Sequence, residues 1–390
     1  MSQPLPLLGG LSAADFLRDY WQKRPLLIRA ALQGFDCPIS PEELAGLACE
    51  EEVESRLICQ PSTDQPDWQL RHGPFQEEDF LTLPASHWTL LVQEINKHVP
   101  ELALLQQRFD FIPNWRIDDV MLSYAPDQGG VGPHTDQYDV FLIQAAGKRR
   151  WRLSYQDASC EQLIPDLPLK VLANFQHEEE YLLEAGDMLY LPPGVVHEGV
   201  AIGDCMTLSI GFRAPNQVEM LSAYLADCLA QMDGECFYRD PDLQPQPNPG
   251  LISPEALHNI RRMIRSIPLE DQHIDRWFGS FITDVRPGHY LPEPEQTLDI
   301  SGFLARLDEA GELWRSEYAR FAYVEESPTQ TQLYVAGEVY PLERDLAFIA
   351  PLICGQRVFS NSAIRAAMQQ AGIAELLLSL YHLGALYFPE

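Results

Sequence analysis

Val131-Gly-Pro-His-Thr-Asp136, running on into Gln137-Tyr-Asp-Val-Phe141, is the stretch on which the reading of this chain turns. His134 and Asp136 stand two residues apart, so an extended strand presents both side chains on one face. A neutral imidazole beside a carboxylate suits a divalent transition metal. With a second histidine the pair becomes a 2-His-1-carboxylate triad of the kind that holds non-haem Fe(II). The spacing alone is weak: His273-Ile-Asp275 repeats it, and His177-Glu-Glu179 comes close. Around His273, however, Ile274, Trp277, Phe278 and Phe281 have helical spacing, and residues i and i+2 of a helix point apart. His177 opens a run of three glutamates and reads as a solvated loop edge. Only His134 and Asp136 lie between a glycine-rich entry and an apolar strand.

The second histidine must come from a strand that returns beside the first. Gly186-Asp-Met-Leu-Tyr-Leu-Pro-Pro-Gly194 turns into an apolar strand, ends it at a Pro-Pro-Gly corner, and is followed by Val195-Val-His197. His197 stands 61 residues after Asp136, which leaves room for intervening strands. Between about 118 and 213 the chain is rich in short β-branched and aromatic runs. These are 120–124, 138–144, 150–155, 188–191 and 207–212, separated by Gly, Pro and Asp turns. That pattern predicts an antiparallel sandwich or barrel able to hold a small ligand in its mouth. A site of three protein ligands leaves coordination positions for a chelating cosubstrate. If this is 2-oxoglutarate, its far carboxylate needs a cation. Lys148-Arg-Arg-Trp-Arg152 offers four, and alternation puts Arg149 on the apolar face of Trp151 and Leu153, with the other three on the opposite face.

Outside this region the chain is more helical. Ser12 to Trp21 and Ser40-Pro-Glu-Glu43 carry helix starts, the second with Ser at N-cap and Glu three residues on. Residues 84–108 read as helical with a break at Pro100. After 213, helices are expected at 218–232 and 254–267. A hairpin turning at Ala336-Gly337 and helices at 362–370 and 374–382 outline a winged-helix-like end. The 390 residues carry 57 acidic and 27 basic side chains, a net charge of −30, which disfavours nucleic acid and anionic membrane and favours a basic partner. Only four of the basic residues are lysines. Residues 271–390 hold 17 acidic and 8 basic side chains, so DNA binding by the winged-helix-like end is not expected. No run is long and apolar enough to cross a membrane. The first residues lack the charged start and apolar core of a secretory leader, and the eight cysteines form no C-x-x-C pair. A cytoplasmic protein with reduced thiols is therefore expected.

His134-Thr-Asp136, the Gly186–Gly194 segment leading to His197, and Trp21-Gln-Lys-Arg-Pro-Leu-Leu-Ile-Arg29 resemble the JmjC-type Fe(II)/2-oxoglutarate oxygenases. Within these the chain is most similar to the ribosomal oxygenases, strongly over about residues 10–215. The resemblance implies an α+β multidomain fold. Residues 1–215 would form a JmjC/cupin double-stranded β-helix catalytic domain with a helical lead-in, residues 216–270 a helical dimerisation domain, and residues 271–390 a winged-helix-like domain. It implies that His134, Asp136 and His197 bind Fe(II) and that Arg149 and Ser123 bind 2-oxoglutarate, with O2 as the other cosubstrate. Tyr138 and Asp139, directly after the metal motif, are expected to line the substrate pocket; sheet packing or a surface turn is the alternative. The implied reaction is hydroxylation at the β-carbon (C3) of an arginine of the sixteenth large-subunit ribosomal protein, giving succinate and CO2, by a homodimer that binds neither DNA nor membrane. Two alternatives stay open: hydroxylation or demethylation of another residue such as histidine or methyl-lysine, and a cupin-like DNA-binding sensor.

Overall fold

The computed structural model describes residues 3–63, 67–156, 163–165, 167–213, 215–232, 234, 236–285 and 290–389. The chain divides into two compact units, Met1–Ala214 with Gly355–Val358, and Pro215–Cys354 with Phe359–Glu390. Each is described by itself.

The first unit is built on one ten-stranded sheet. Its strands are β1 (Leu26–Ile28), β2 (Ser55–Cys59), β3 (Gln69–His72), β4 (Trp88–Val92), β5 (Ile117–Ala125), β6 (His134–Thr135), β7 (Asp139–Ser154), β8 (Glu179–Glu184), β9 (Met188–Leu191) and β10 (Val196–Phe212). The main path runs β1-β9-β7-β10-β5-β4-β2-β3, with β6 added to β10 and β8 to β7. All these pairings are antiparallel. Two long strands make the architecture. β7 and β10 pair along almost their whole length, from Val196↔Ser154 to Phe212↔Asp139, with a register shift between Ile202 and Met206. There the chain folds over. Gly147 has φ +65°, and a Cβ on it would lie 2.1 Å from the Asp204 carbonyl oxygen, so this corner accepts only glycine. Beyond it, the second half of β7 pairs with β8 and its first half with β9. One pair of strands thus serves two facing half-sheets, a double-stranded β-helix.

Side-chain alternation along β7 separates the two faces. Val140, Leu142, Trp151 and Leu153 pack with Leu183, Leu189 and Leu191 between the half-sheets. Phe141, Ile143, Met188 and Tyr190 point outward into a larger core with Phe16, Leu44, Leu102 and Phe109 of the lead-in. The lead-in helices start as their sequence predicts: Ser12 accepts from the Asp15 amide, and Ser40 and Glu43 form a reciprocal capping box. The reading of 84–108 as helical is corrected. Trp88–Val92 is a strand held between β2 and β5, and only Pro100–Gln106 forms an α-helix in that stretch. Its neighbours supply backbone partners on both sides, which outweighs a helical apolar pattern five residues long. The two runs expected at 138–144 and 150–155 are one bent strand, and Glu179 and Glu180 open strand β8.

The second unit opens with helices Gln217–Gln231, Pro254–Ile264 and Asp271–Thr283. A helix at Ile300–Ala310 follows, then β11 (Glu312–Arg315), a meander of β12 (Phe321–Ser327), β13 (Gln330–Val335) and β14 (Glu338–Glu343), helices Asn361–Ala367 and Ile373–His382, and a C-terminal strand Leu386–Tyr387 paired with β11. The expected hairpin at Ala336-Gly337 gains one more strand, β12. Phe303, Leu333, Ile353, Phe359 and Leu377 form the centre of its core. No helix among the described residues is long and apolar enough to cross a membrane.

Candidate metal centre

His134 lies on β6 and His197 at the start of β10, directly opposite one another in the register. Their rings are 4.3 Å apart, centroid to centroid, and His197 Nε2 lies 3.6 Å from Asp136 Oδ2. One ligand atom from each of His134, Asp136 and His197 lies within 4.8 Å of the other two, and no other group of three or more metal-ligating side chains converges among the described residues. Each imidazole is turned by its own main chain. His134 Nδ1 is 2.9 Å from the Gly132 oxygen and His197 Nδ1 is 3.0 Å from the Val195 oxygen. A carbonyl only accepts, so Nδ1 carries the proton and Nε2 keeps its lone pair for a cation. Burial pushes His197 down to about 4, helped by the neighbouring His134 and opposed by Asp136, which keeps the imidazole neutral at physiological pH. Asp136 accepts the Gly194 amide at its main-chain oxygen, tying the Pro-Pro-Gly corner to the motif.

The same face of the sheet carries a buried cation. Arg149 stands opposite Ala201 on β10 and Leu183 on β8, sharing the face of Trp151, and its side chain is 5% exposed. Its Nε and Nη2 are buried and have no hydrogen-bond partner among the described residues. A buried guanidinium left in that state costs free energy unless an anion completes it. Trp151 lies between cation and metal side, 5.8 Å from the Arg149 guanidinium carbon and 5.9 Å from the His197 ring centre. Its ring covers Gly199, where a Cβ would sit 2.7 Å from the nearest ring carbon. By contrast Lys148, Arg150 and Arg152 face outward and are matched by Glu184, Glu180 and Glu198.

Ser123 is buried on β5, paired with Thr207, and its hydroxyl donates to the Thr207 carbonyl at 3.2 Å. Turning toward a carboxylate would exchange that bond for another. Tyr138 is 42% exposed, but its phenol is pushed above its usual range, first by burial of the hydroxyl end and then by the carboxylates of Asp136 and Asp119. Asp119 itself lies against Gly211, next to the Tyr138 ring. Alternation along β5 explains its place: Asp119, Met121 and Ser123 share one face. That alternation was available in the sequence once Ser123 had been placed. Asp139 takes the other alternative, sheet packing. It is fully buried, accepts from the Tyr190 hydroxyl at 2.6 Å and the Gln22 side chain at 2.9 Å, and faces Arg116 at 3.5 Å. Both its oxygens are occupied by these partners. The decoy His273-Ile-Asp275 lies on the helix Asp271–Thr283, where the two side chains diverge.

Two family models match the chain: a JmjC domain over residues 104–220 and a ROXA-like winged helix over residues 262–387. Over 285 residues the chain is 41% identical to the ribosomal protein uL16 3-hydroxylase of Escherichia coli (strain K12), covering 73% of this chain and 75% of that protein. The crystal structure of E. coli YcfD superposes with a TM-score of 0.84 at 34% identity, over 97% of this chain and 98% of that one. A structure of YcfD, described as a ribosomal oxygenase, in complex with cobalt and 2-oxoglutarate matches at a TM-score of 0.81 and 33% identity, covering 97% and 99%. Identity of this extent over most of both chains, together with the two matched domain models, means that the chain belongs to the JmjC-domain ribosomal oxygenases.

Proposed function

We propose that the chain is an Fe(II)- and 2-oxoglutarate-dependent protein hydroxylase that acts on an arginine of the large-subunit ribosomal protein uL16, at its β-carbon. His134, Asp136 and His197 hold the iron, and Arg149 holds the far carboxylate of 2-oxoglutarate, with Ser123 turning from Thr207 to join it. The observation that carries this reading is the convergence of three oriented ligand atoms on the sheet face that also carries the buried Arg149 guanidinium, whose Nε and Nη2 find no hydrogen-bond partner among the described residues. A dicarboxylate that chelates a metal at one end suits both. When bound, iron with 2-oxoglutarate and O2 supplies the oxidising power that inserts one oxygen atom into a C–H bond and releases succinate and CO2. The chain's own part is positional. The Gly132 and Val195 carbonyls fix both imidazoles, Trp151 stacks beside the Arg149 guanidinium, and the Tyr138 ring next to Asp136 lies where an incoming side chain would meet the metal motif.

A net charge of −30 favours encounter with a basic ribosomal protein, mainly through association rate. The protein works in the cytoplasm, where that partner is made. It acts as a homodimer through residues 216–270. Val218, Leu221, Leu225 and Leu229 follow one helical face at 74%, 52%, 40% and 65% exposure, and Leu257, Ile260 and Ile264 repeat the pattern on the next helix. Apolar stripes of this length on consecutive helices mark an interface. The domain limits at 215 and 270 belong to the same proposal, with residues 271–390 as the winged-helix unit.

The test is incubation of the purified chain with Fe(II), 2-oxoglutarate and uL16, followed by peptide mass spectrometry. One added oxygen on an arginine, absent with His134→Ala, is expected. Formaldehyde release, or no succinate from the wild type, would overturn the reading.

A further inference from the structure

The glycine-rich loop that leads into the metal motif is held by different means at its two ends. At its entry it is laced to β10: Gln128 donates to the Ala201 carbonyl at 3.0 Å, and Ala201 donates to the Gly129 carbonyl at 2.9 Å. At its exit stands Gly132, whose carbonyl oxygen lies 2.9 Å from His134 Nδ1 and whose φ is +78°. A residue without a Cβ passes readily between conformations of either sign of φ. On its own it is a poor support for an oxygen that must stay on one imidazole nitrogen. The equivalent support of His197 is sturdier, because its carbonyl belongs to Val195, a side chain buried in the core with Trp151.

Gly132 is held instead by two side chains from other parts of the unit. Trp68, just before β3, turns the outer edge of its indole onto the glycine, and Val171, in the connection between β7 and β8, meets the same atom. A Cβ built on Gly132 would lie 2.8 Å from Trp68 Cη2, 3.2 Å from its Cζ2 and 2.8 Å from Val171 Cγ1. Both jaws close on one α-carbon and leave no room for a methyl group. The Val171 jaw is braced in turn. Val171 and Leu172 are buried, and the Ile164 amide donates to the Val171 carbonyl at 2.9 Å. The Leu172 amide donates to the Pro133 carbonyl, also at 2.9 Å. The two residues before His134 are thus gripped from outside their own strand, Gly132 by packing and Pro133 by a hydrogen bond.

We propose that Trp68 is a positioning residue of the metal centre: with Val171 it clamps Gly132, so that the Gly132 carbonyl keeps His134 Nε2 directed at the ion. This rests on the reading of His134, Asp136 and His197 as metal ligands. The test is Co(II) titration of the metal-free full chain, followed by ligand-field absorption. Trp68→Ala is expected to weaken Co(II) binding about tenfold, the lower end for losing an outer support of a metal-bound imidazole, and to alter the absorption bands. Val171→Ala acts in the same direction. The double variant loses less than the product of the two single losses, because removing either jaw already frees the glycine. Melting of the metal-free variants separates this role from packing. Lowered melting with Co(II) affinity within about twofold of the wild type would make Trp68 a packing residue only. Single losses that multiply in the double variant would also overturn the clamp. If Trp68→Ala fails to fold, Trp68→Phe withdraws the same indole edge, keeps an aromatic ring, and is judged by the same readings. A wild type that binds no Co(II), or binds it undiminished as His134→Ala, would instead overturn the metal centre itself.

Discussion

Arg149 is the residue on which the site's economy depends. Four cations crowd Lys148–Arg152; the three that face outward are ion-paired, and in the one that alternation turns inward Nε and Nη2 have no hydrogen-bond partner among the described residues. Arg149→Gln is therefore expected to leave metal binding intact while raising the KM for 2-oxoglutarate by roughly tenfold to a hundredfold, the span of a lost charge-assisted bond; succinate formation at varied 2-oxoglutarate reads this out. An unchanged KM would remove Arg149 from the cosubstrate site. Gly199 is the silent member of the same group. Gly199→Ala places a methyl group against Trp151, which is expected to cost about 1–3 kcal/mol of stability and to weaken 2-oxoglutarate binding together, seen in thermal melting with and without cosubstrate. The convergence of His134, Asp136 and His197 was legible in the sequence, because period-2 spacing and a Gly-Asp strand ending in Pro-Pro-Gly are local signals. Asp139 was not, because its partners Gln22 and Tyr190 lie 117 and 51 residues away. Nothing near it in the chain announces that a carboxylate there will be fully enclosed.

At the scale of elements, the turn between β8 and β9 is fastened by Asp187. Its carboxylate accepts from the amides of Ala30 and Glu184 and from Arg29, joining the edge strand β1 to the turn. Burial alone would raise this carboxyl, but the two backbone bonds and Arg29 outweigh it and hold the group below its ordinary value. The sign follows. The unfolded carboxyl takes up a proton near pH 3.9, the folded one only at lower pH. The contribution is complete above about pH 4 and disappears as pH falls through the lower folded value. Asp187→Asn is expected to destabilise the protein by about 1–3 kcal/mol at neutral pH and to flatten the loss of stability on acidification, measured by denaturant titration between pH 3 and 7. Elements were legible where their signals are short-range: the Ser40 capping box, the helices after residue 216, the hairpin at Ala336-Gly337. The strand Trp88–Val92 was missed because five apolar residues read equally as helix or strand, and only β2 and β5 on its flanks decide between them.

For the molecule as a whole, the net charge of −30 favours a basic partner. What composition does not show is where apolar surface is left uncovered. Replacing Leu221 and Leu225 with Asp is expected to convert the proposed dimer to monomer in sedimentation velocity while leaving the His134–Asp136–His197 cluster able to bind Co(II). Unchanged mass would remove this helix face from the proposed dimer interface.

The shared strand β10 also sets the order in which the molecule is completed during synthesis. β5, β6 and β7 all wait for the same mate, so between the emergence of residue 154 and that of residue 212 the nascent chain carries open strand edges. Those edges close together when a single segment arrives, and the last ligand, His197, arrives with it. A chain arrested before Val196 therefore lacks both the metal site and the strand that unites the half-sheets, and its exposed edges make it a substrate for chaperones or proteases.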